Sequence, residues 1–334
     1  IYSFRGAVLE YFTDFAEHFG EPVRTDLTEN FRSPPQIITA GNDLIAKNSG
    51  QLEKTVDATV DEDSVPYVHP VPGDGFYEYV RHVRQYTVDL VEEYVASGAD
   101  PSEIMVLCRY DDAVPYLTEI KEELYSQQIP YVGKSDQYRG PNGDAENGVS
   151  VYSLYQAKGR EANHVSLVHA AEGPYGFPPD GREDELLEPV QPLSLGGFEE
   201  ERRAFYVAMT RAKQTLDILT RDGKESRFLN EIEEYTIRIV TETLDSLDEV
   251  GEYISVRTKV DELCEPLPKQ HQQGVLTDTF GGSARFLSWK KSNPPTLQEG
   301  KWYYLFGVQV REFKNEKELL VSESTSVQHL QSRE

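Results

Sequence analysis

The sequence predicts an α/β domain with a parallel sheet and flanking helices, followed by a small all-β barrel. Continuous apolar segments such as IMVLCRY (104–110) have the composition of strands that are buried on both faces, as in parallel sheets. Segments with apolar residues at helical spacing lie between them and predict crossover helices. After about residue 240 this pattern gives way to short strand-like segments separated by Gly, Pro and polar residues, which is typical of a barrel.

Strands and helices alternate through the first two-thirds of the chain. Strand-like segments lie at 23–28, 65–71, 104–110, 129–133, 149–154, 164–170 and 215–220, and helical spacing is found at 34–47, 75–97, 112–126 and 198–212. Ser33 is the expected N-cap of the first helix, with Pro34 at its first position, and Gly98 is expected to end the second. This alternation predicts one parallel sheet with crossover helices.

The last part of the chain contains five strand-like segments and little helix. They are ISVRTKVDEL, GVLTDTFG, SARFLSW, KWYYLFGVQVREF and ELLVSESTSV, and five strands fit a small barrel such as an OB-fold. Because side chains alternate along a strand, Trp302, Tyr304 and Phe306 should share one face, and Tyr303 and Leu305 the other. The pattern leaves open which of these faces is exposed to solvent.

Composition predicts a soluble protein of more than one domain. The chain has 334 residues, 38% of them hydrophobic, which is enough for two separate cores. No segment approaches the ~20 apolar residues of a membrane helix, and the start lacks the layout of a secretory signal. Cys108 and Cys264 lie far apart, so neither a disulfide framework nor a zinc site is indicated. Together these features predict a cytoplasmic protein without a membrane partner.

The net charge of −25 taken alone argues against a polyanionic ligand. However, the excess acid is confined to residues 1–250, because residues 251–334 carry 11 basic and 11 acidic side chains. Two interpretations stay open for the acidic surface. It could be an adaptation to a high-salt cytoplasm or an ordinary aid to solubility.

Two arginines occupy positions that suit contacts with phosphate. Arg32 lies at a strand-to-helix junction beside Phe31, and a planar guanidinium matches the geometry of phosphate oxygens. Arg211 ends the helix of residues 198–212, from where it could act as an arginine finger on a transferring phosphoryl group. The alternatives are a surface ion pair for Arg32 and an ordinary amphipathic helix ending at Arg211.

Four blocks in a fixed order carry a resemblance to a known family. IYSFRGA (1–7), LTENFRS (27–33), SLYQAKGRE (153–161) and EEERRAFYVAMTRA (199–212) resemble motifs III to VI of the UvrD/Rep/PcrA group of superfamily 1 DNA helicases. The resemblance covers about residues 1–231. It implies the end of a first RecA-like domain at 1–22 and a second RecA-like domain, of the P-loop NTPase motor type, at 23–240. An OB-fold at 250–334 would follow.

The resemblance also implies roles at a nucleotide. Arg32 would contact the γ-phosphate of ATP and Arg211 would be the arginine finger, so these two are the candidate catalytic residues. Phe31, where the family usually has Tyr, would flank the adenine, and Glu161 would lie near the ribose. No G-x-x-x-x-G-K-[ST] motif occurs, nor the Asp-Glu pair that holds Mg²⁺. We therefore expect ATP and Mg²⁺ to be bound mainly by a preceding domain, and this chain alone to be inactive.

A second set of residues is implied to contact single-stranded DNA. Phe4 and Arg5 would face the bases, because base stacking on an aromatic ring needs no particular sequence. Ser153 and Lys158 would lie at the DNA backbone. Tyr155 replaces the usual His, and could still stack or donate a hydrogen bond. Two further departures are Arg160 and Ala162, where the family usually has Leu and Phe.

The segment between 129–133 and 149–153 is only 15 residues long. The larger members of the family carry an inserted helical subdomain at this point. The short connection predicts a compact helicase without that insertion.

The C-terminal barrel resembles the OB-folds of replication-protein-A-like proteins. Its candidate stacking residues are Phe286, Trp289 and Phe313, although barrel core is an equal alternative for each. Its candidate phosphate ligands are Arg285, Lys290, Lys291 and Arg311.

The complete protein is thus expected to be a 3′-to-5′ helicase of repair or replication, acting on single strands and on junctions with duplex. Three alternatives stay open. The chain could belong to a non-enzymatic single-strand-binding protein with a degenerate motor, or to a nuclease-fused helicase subunit. The barrel could also be a protein-interaction module.

Overall fold

The computed structural model describes residues 10–49, 51, 54–61, 64–110, 115–133, 147–173, 175–179, 196–239, 241–247, 250–314 and 316–328. The chain divides into two compact units. The first comprises Ile1–Val83 and Asp100–Arg238, and the second comprises Arg84–Ala99 and Ile239–Glu334. Within the described ranges, no helix has the length and apolar character needed to span a bilayer.

The first unit contains a seven-stranded sheet in the order β5-β6-β4-β7-β8-β3-β9, and all its strand pairings are parallel. The described elements of this part of the chain are α1 Glu10–Thr13, α2 Phe15–Phe19, β1 Glu29–Asn30, α3 Pro35–Ala46, β2 Asp57–Ala58, β3 Tyr67–Val71, α4 Phe76–Ala96, β4 Ile104–Cys108, α5 Pro115–Ser126, β5 Tyr131–Val132, β6 Val149–Ser153, β7 Ala162–Leu167, α6 Gly196–Met209, β8 Ala212–Arg221, α7 Arg227–Asn230 and β9 Ile237–Arg238.

The predicted parallel sheet is confirmed, and its central strands explain why. All five residues of β4 are buried, as the continuous apolar segment predicts. Leu107, Val165 and Ile218 come from adjacent strands and belong to one core with residues of α3 and α6. The sheet therefore buries both faces, which requires helices on each side.

Two local predictions are wrong. No strand forms at 23–28, where Val23 and Leu27 are exposed; the first strand begins at Glu29. The helix predicted from Pro34 begins at Pro35, with Pro34 as its N-cap. Ser33 does not cap it, because its hydroxyl donates to the Ala212 carbonyl oxygen at 2.7 Å and so ties the helix start to β8.

The second unit is an OB-fold barrel. Its strands β10 to β14 close in the order β10-β11-β12-β14-β13, with β13 pairing back to β10. The β12–β14 pairing is parallel and the others are antiparallel, and such a five-stranded closure fits this fold. The strands are β10 Tyr253–Cys264, β11 Gln270–Asp278, β12 Ser283–Trp289, β13 Trp302–Phe313, β14 Glu316–Leu320 and, added to β13, β15 Ser326–Gln328.

One face of β13 lies in the barrel core and the other lies on the outside of the barrel. Tyr303 and Leu305 belong to the barrel core, whereas Tyr304 and Phe306 lie on the outer face with their rings stacked 6.4 Å apart. Phe286 was a candidate for base stacking, but it is 2% exposed and lies in the same core. It is therefore a packing residue, because its position in β12 points inward beside Leu319.

A buried arginine holds the last part of α4 against the outer face of the barrel, within the second unit. The Arg257 guanidinium lies 4.2 Å from the ring of Trp302 and 4.6 Å from that of Tyr86. It donates to Glu93 at 2.9 Å and lies 3.4 Å from an oxygen of Asp89. The aromatic face of β10 and β13 is thus occupied by a segment of the same chain.

The two thiols should differ sharply in reactivity. Cys108 is buried in β4, and burial raises its pKa to about 11, so almost none of its thiol is ionised at neutral pH. Cys264 is exposed at the end of β10. We expect Ellman's reagent to titrate one thiol per native chain and two in guanidinium chloride. Two fast-reacting thiols in the native chain would contradict the burial of β4.

Candidate functional site

Arg32, Glu161 and Arg211 meet at the amino edge of the seven-stranded sheet. Glu161 directly precedes β7 and Arg211 directly precedes β8, and these neighbouring strands pair Ala162 with Ala212. The Ala162 N–H also donates to the Arg211 carbonyl oxygen at 3.2 Å. Two side chains that are 50 positions apart in the sequence therefore become neighbours in space.

Arg32 is brought to this edge by a local turn. The side-chain oxygen of Asn30 accepts from the backbone N–H groups of Arg32 and Ser33, both at 2.8 Å, as Asn does in turns. The Arg32 Nε then lies 2.5 Å from a Glu161 carboxylate oxygen. Its Nη1 donates to the carbonyl oxygen of Thr210 at 3.4 Å. The surface ion pair expected as an alternative for Arg32 is present, but it joins two residues of the candidate site.

Arg211 is held by backbone carbonyls. Its Nε donates to the Val207 carbonyl at 2.9 Å, and its Nη1 donates to the Arg160 carbonyl at 3.0 Å. Burial lowers the pKa of Arg211, and the positive charge of Arg32 lowers it further. The guanidinium is thus oriented in a partly desolvated position beside a like charge.

The charges at this site do not balance. Glu161 is the acceptor for Arg32, and Lys213 lies 3.8 Å from its other oxygen. Arg211 is within electrostatic range of Glu161 as well, so three cationic side chains lie near one carboxylate. A site of this charge stabilises a nearby anion, and planar guanidinium donors suit phosphate oxygens.

The packing of α3 on α6 fixes the two arginines. Gly41 lets the helices approach closely, since a Cβ at this position would lie 3.0 Å from the Tyr206 ring. Arg202 on α6 donates to the Asn48 side chain at 2.7 Å and to Glu231 at 2.8 Å. Arg32 precedes α3 and Arg211 follows α6, so their separation is set by this rigid pair.

The residues predicted to contact DNA differ in exposure, and two of them are not described by the structure. Phe4 and Arg5 lie outside the described residues. Ser153 is buried at the carboxyl end of β6, whereas Lys158 is exposed in the following turn. Tyr155 is half-buried just beyond β6. Phe31, predicted to flank the adenine, is 75% exposed beside Arg32.

One arrangement at the carboxyl edge was missed by the sequence analysis. Arg109 follows β4 and makes a two-pronged ion pair with Glu201 of α6, its Nε donating at 2.6 Å. Burial opposes the charge of Arg109, but the hydrogen bond and charge of Glu201 outweigh it and raise its pKa. An Arg after an apolar strand gives no signal of a partner 92 positions away, so only the fold could show it.

The barrel brings two of its predicted phosphate ligands together. Arg285 of β12 and Arg311 of β13 both pair in register with Glu318 of β14, which places the three on one outer row. Trp289 is half-buried at the end of β12, followed by exposed Lys290 and Lys291. Phe313 is 53% exposed at the end of β13.

The first unit is thus a parallel seven-stranded sheet with flanking helices and two arginines at its amino edge. Residues 134–222 match the family model of the UvrD-like helicase C-terminal domain. This part of the first unit is therefore similar to a UvrD-like helicase C-terminal domain, and an OB-fold barrel follows it in the chain. Among the residues that the structure describes, no group of three His, Cys, Asp or Glu is placed to hold a metal ion.

Known proteins similar to the chain include DNA helicases. Over 235 residues it is 28% identical to DNA helicase IV of Escherichia coli, an alignment that covers 69% of the chain and 29% of that protein. The chain thus spans less than a third of this relative. Among solved structures, the C-terminal domain of a "possible DNA helicase" from Lactobacillus plantarum has a TM-score of 0.39 at 16% identity, over 63% of the chain and 98% of that domain. An OB domain from Methanosarcina mazei has a TM-score of 0.25 at 30% identity, over 27% of the chain and 82% of that domain.

Proposed function

We propose that the chain is the C-terminal part of an ATP-dependent DNA helicase that translocates on single-stranded DNA and unwinds duplex from 3′ to 5′. The observation that carries this proposal is that Arg32, Glu161 and Arg211 meet at the amino edge of the sheet: Arg32 pairs with Glu161, and the charges of both act on Arg211. Their charge exceeds that of Glu161, so the site is suited to phosphates supplied by another domain.

In the complete protein, ATP and Mg²⁺ are held mainly by a nucleotide-binding domain outside this chain. Arg32 contacts the γ-phosphate, and Arg211 stabilises the charge that develops on the transferring phosphoryl group. Phe31 covers the adenine, and Glu161 turns from Arg32 toward the ribose. A phosphate can replace the Glu161 carboxylate at Arg32 because both present paired oxygens to a planar donor.

Single-stranded DNA, alone or at its junction with duplex, is the proposed partner. Phe4, Arg5, Tyr155 and Lys158 would contact it on the motor, and the row containing Arg285 and Arg311 would hold it on the barrel, with Trp289 as a stacking residue. The barrel keeps the strand close to the motor and so raises its effective concentration. Repair or replication of DNA is the process proposed for this activity.

ATP hydrolysis by the full-length gene product tests the proposal, measured with and without oligo-dT in about molar KCl, a salt level chosen to suit so acidic a chain. We expect strong stimulation by DNA. Single-strand binding without any ATPase activity would instead favour a non-enzymatic binding protein with a degenerate motor.

The proposed binding of DNA by the barrel can be tested separately, from the salt dependence of the affinity. Replacing Arg285 or Arg311 by Ala should make the negative slope of log K against log salt shallower by about 0.7 each, since each phosphate contact on a single strand releases counterions. Trp289→Ala should weaken binding several-fold without changing this slope, because stacking releases none. Lys224→Ala, in an exposed turn of the first unit, is the matched control. Unchanged binding by Trp289→Ala would indicate a protein-interaction barrel.

A further inference from the structure

The carboxyl edge of the seven-stranded sheet carries tyrosines at matching positions of neighbouring strands. Cys108 and Ser153 are paired in register at the ends of β4 and β6. Tyr110 and Tyr155 each lie two residues beyond that pair. Both rings are half-buried, so each keeps part of its surface at the edge.

Arg109 lies against both rings. Its guanidinium carbon is 4.5 Å from the centroid of the Tyr110 ring and 5.2 Å from that of Tyr155. At 5.9 Å from the Phe177 ring it also contacts the core beneath. The guanidinium therefore packs against two partly exposed rings, and such cation–π contacts are favourable for a desolvated guanidinium.

Glu201 determines what Arg109 can do. The side chains of the two residues are 6% and 13% exposed, and they are joined by two parallel hydrogen bonds. Glu201 occupies Nε and Nη2, and the remaining nitrogen, Nη1, has no hydrogen-bond partner among the described residues but is fully buried. A phosphate in solvent therefore cannot reach this guanidinium without displacing the groups packed on it. Its remaining function is geometric, because it fixes the rings packed on it.

We propose that Arg109, held by Glu201, is a positioning residue that presents Tyr110 and Tyr155 as a stacking platform for the bases of a single strand. The inference rests on the proposed function and adds Tyr110 and the Arg109–Glu201 pair to it. Tyr175 extends the platform, since its ring is 43% exposed and lies 6.0 Å from that of Tyr110 at an angle of 85°.

Binding of two oligomers by the whole chain tests this role. One is oligo-dT and the other is an oligomer of the same length built from abasic sites. Both carry the same phosphates, so the ratio of the two affinities isolates the contribution of the bases. We expect Tyr155→Leu and Glu201→Gln each to lower this ratio about tenfold, the scale of one lost base–aromatic stack.

A phosphate-binding role and a positioning role for Arg109 make opposite predictions for Glu201→Gln. If Arg109 bound a phosphate, removing its competing carboxylate would strengthen binding of both oligomers and leave their ratio unchanged. A folded Glu201→Gln chain with that behaviour overturns the proposal. Tyr125→Leu is the control, because Tyr125 is 60% exposed at the end of α5; its ratio should equal that of the wild type.

Two further outcomes are decisive. If Glu201→Gln does not fold, the variants Tyr110→Leu and Tyr155→Leu, which leave the buried ion pair intact, answer the question: an unchanged ratio in both overturns the proposal, and a lowered ratio supports it. A wild-type chain that binds neither oligomer refutes the proposed function and this inference together. A chain that binds both, with a ratio insensitive to every tyrosine variant, refutes the inference alone.

Discussion

Arg211→Ala should reduce ATP hydrolysis by the full-length protein by about 10³- to 10⁵-fold, the range measured for arginine fingers elsewhere. The reason is that Arg211 is oriented by the carbonyls of Val207 and Arg160 in a partly desolvated site. There it can neutralise charge that appears only in the transition state. Steady-state hydrolysis with saturating oligo-dT is the measurement, and the loss should fall on kcat.

This substitution should not unfold the chain. Burial and the neighbouring Arg32 both lower the pKa of Arg211, so its charged form is disfavoured where it lies and its removal relieves a repulsion. Arg211→Lys should recover little activity, because an ammonium lacks the planar fork. Arg227→Ala, which breaks an exposed ion pair with Glu172, is the matched control and should keep full activity. A folded Arg211→Ala enzyme with more than a tenth of wild-type activity would refute the role.

Periodicity was sufficient for most of the architecture because it reports burial directly. The continuous apolar segment predicts that β4 is buried, and the alternation along β13 separates the residues of its two faces as the structure does. Which of those two faces lies inside is known only from the structure. The strand predicted at 23–28 is wrong because the apolar residues of this segment have strand-like spacing without being buried. In the structure, Val23 and Leu27 are exposed. Periodicity cannot show whether a neighbouring strand exists.

The candidate site could be foreseen only as separate motifs. Arg32, Glu161 and Arg211 stood in different blocks, and the register of β7 with β8 is what makes them neighbours. Buried ion pairs were beyond prediction altogether. The partners of Arg109 and Arg257 are 92 and 164 positions away, so no local pattern marks them.

Arg257→Met should destabilise the second unit by about 3–5 kcal/mol, since removing one partner of a buried ion pair leaves the other charges uncompensated. The side chains of Arg257, Asp89 and Glu93 are 2%, 5% and 6% exposed, so water cannot replace the lost cation. Urea unfolding monitored by tryptophan fluorescence measures this unit selectively. Both tryptophans of the chain, Trp289 and Trp302, belong to it.

The size of this loss should depend on pH. Burial raises the pKa of Asp89 and Arg257 opposes that shift, so without Arg257 the pKa rises further. A group whose pKa is raised on folding stabilises the fold when protonated, and that contribution is lost as pH rises through the folded pKa. The deficit of Arg257→Met should therefore shrink as the pH is lowered from about 8 toward 5. A deficit independent of pH would mean that lost packing, not unpaired charge, is the cause.

The rescue variant separates charge from packing most directly. Replacing Arg257 by Met and both Asp89 and Glu93 by Leu removes every buried charge of the group while keeping apolar volume. Such replacements are often neutral or stabilising by about 1–4 kcal/mol, so the triple variant should recover the stability that Arg257→Met loses. Arg285→Met, at an exposed position of β12, should change stability by less than about 0.5 kcal/mol. Recovery would show that Arg257 is required because two carboxylates of α4 are buried beside it, and that the last part of α4 is a component of the barrel's own fold.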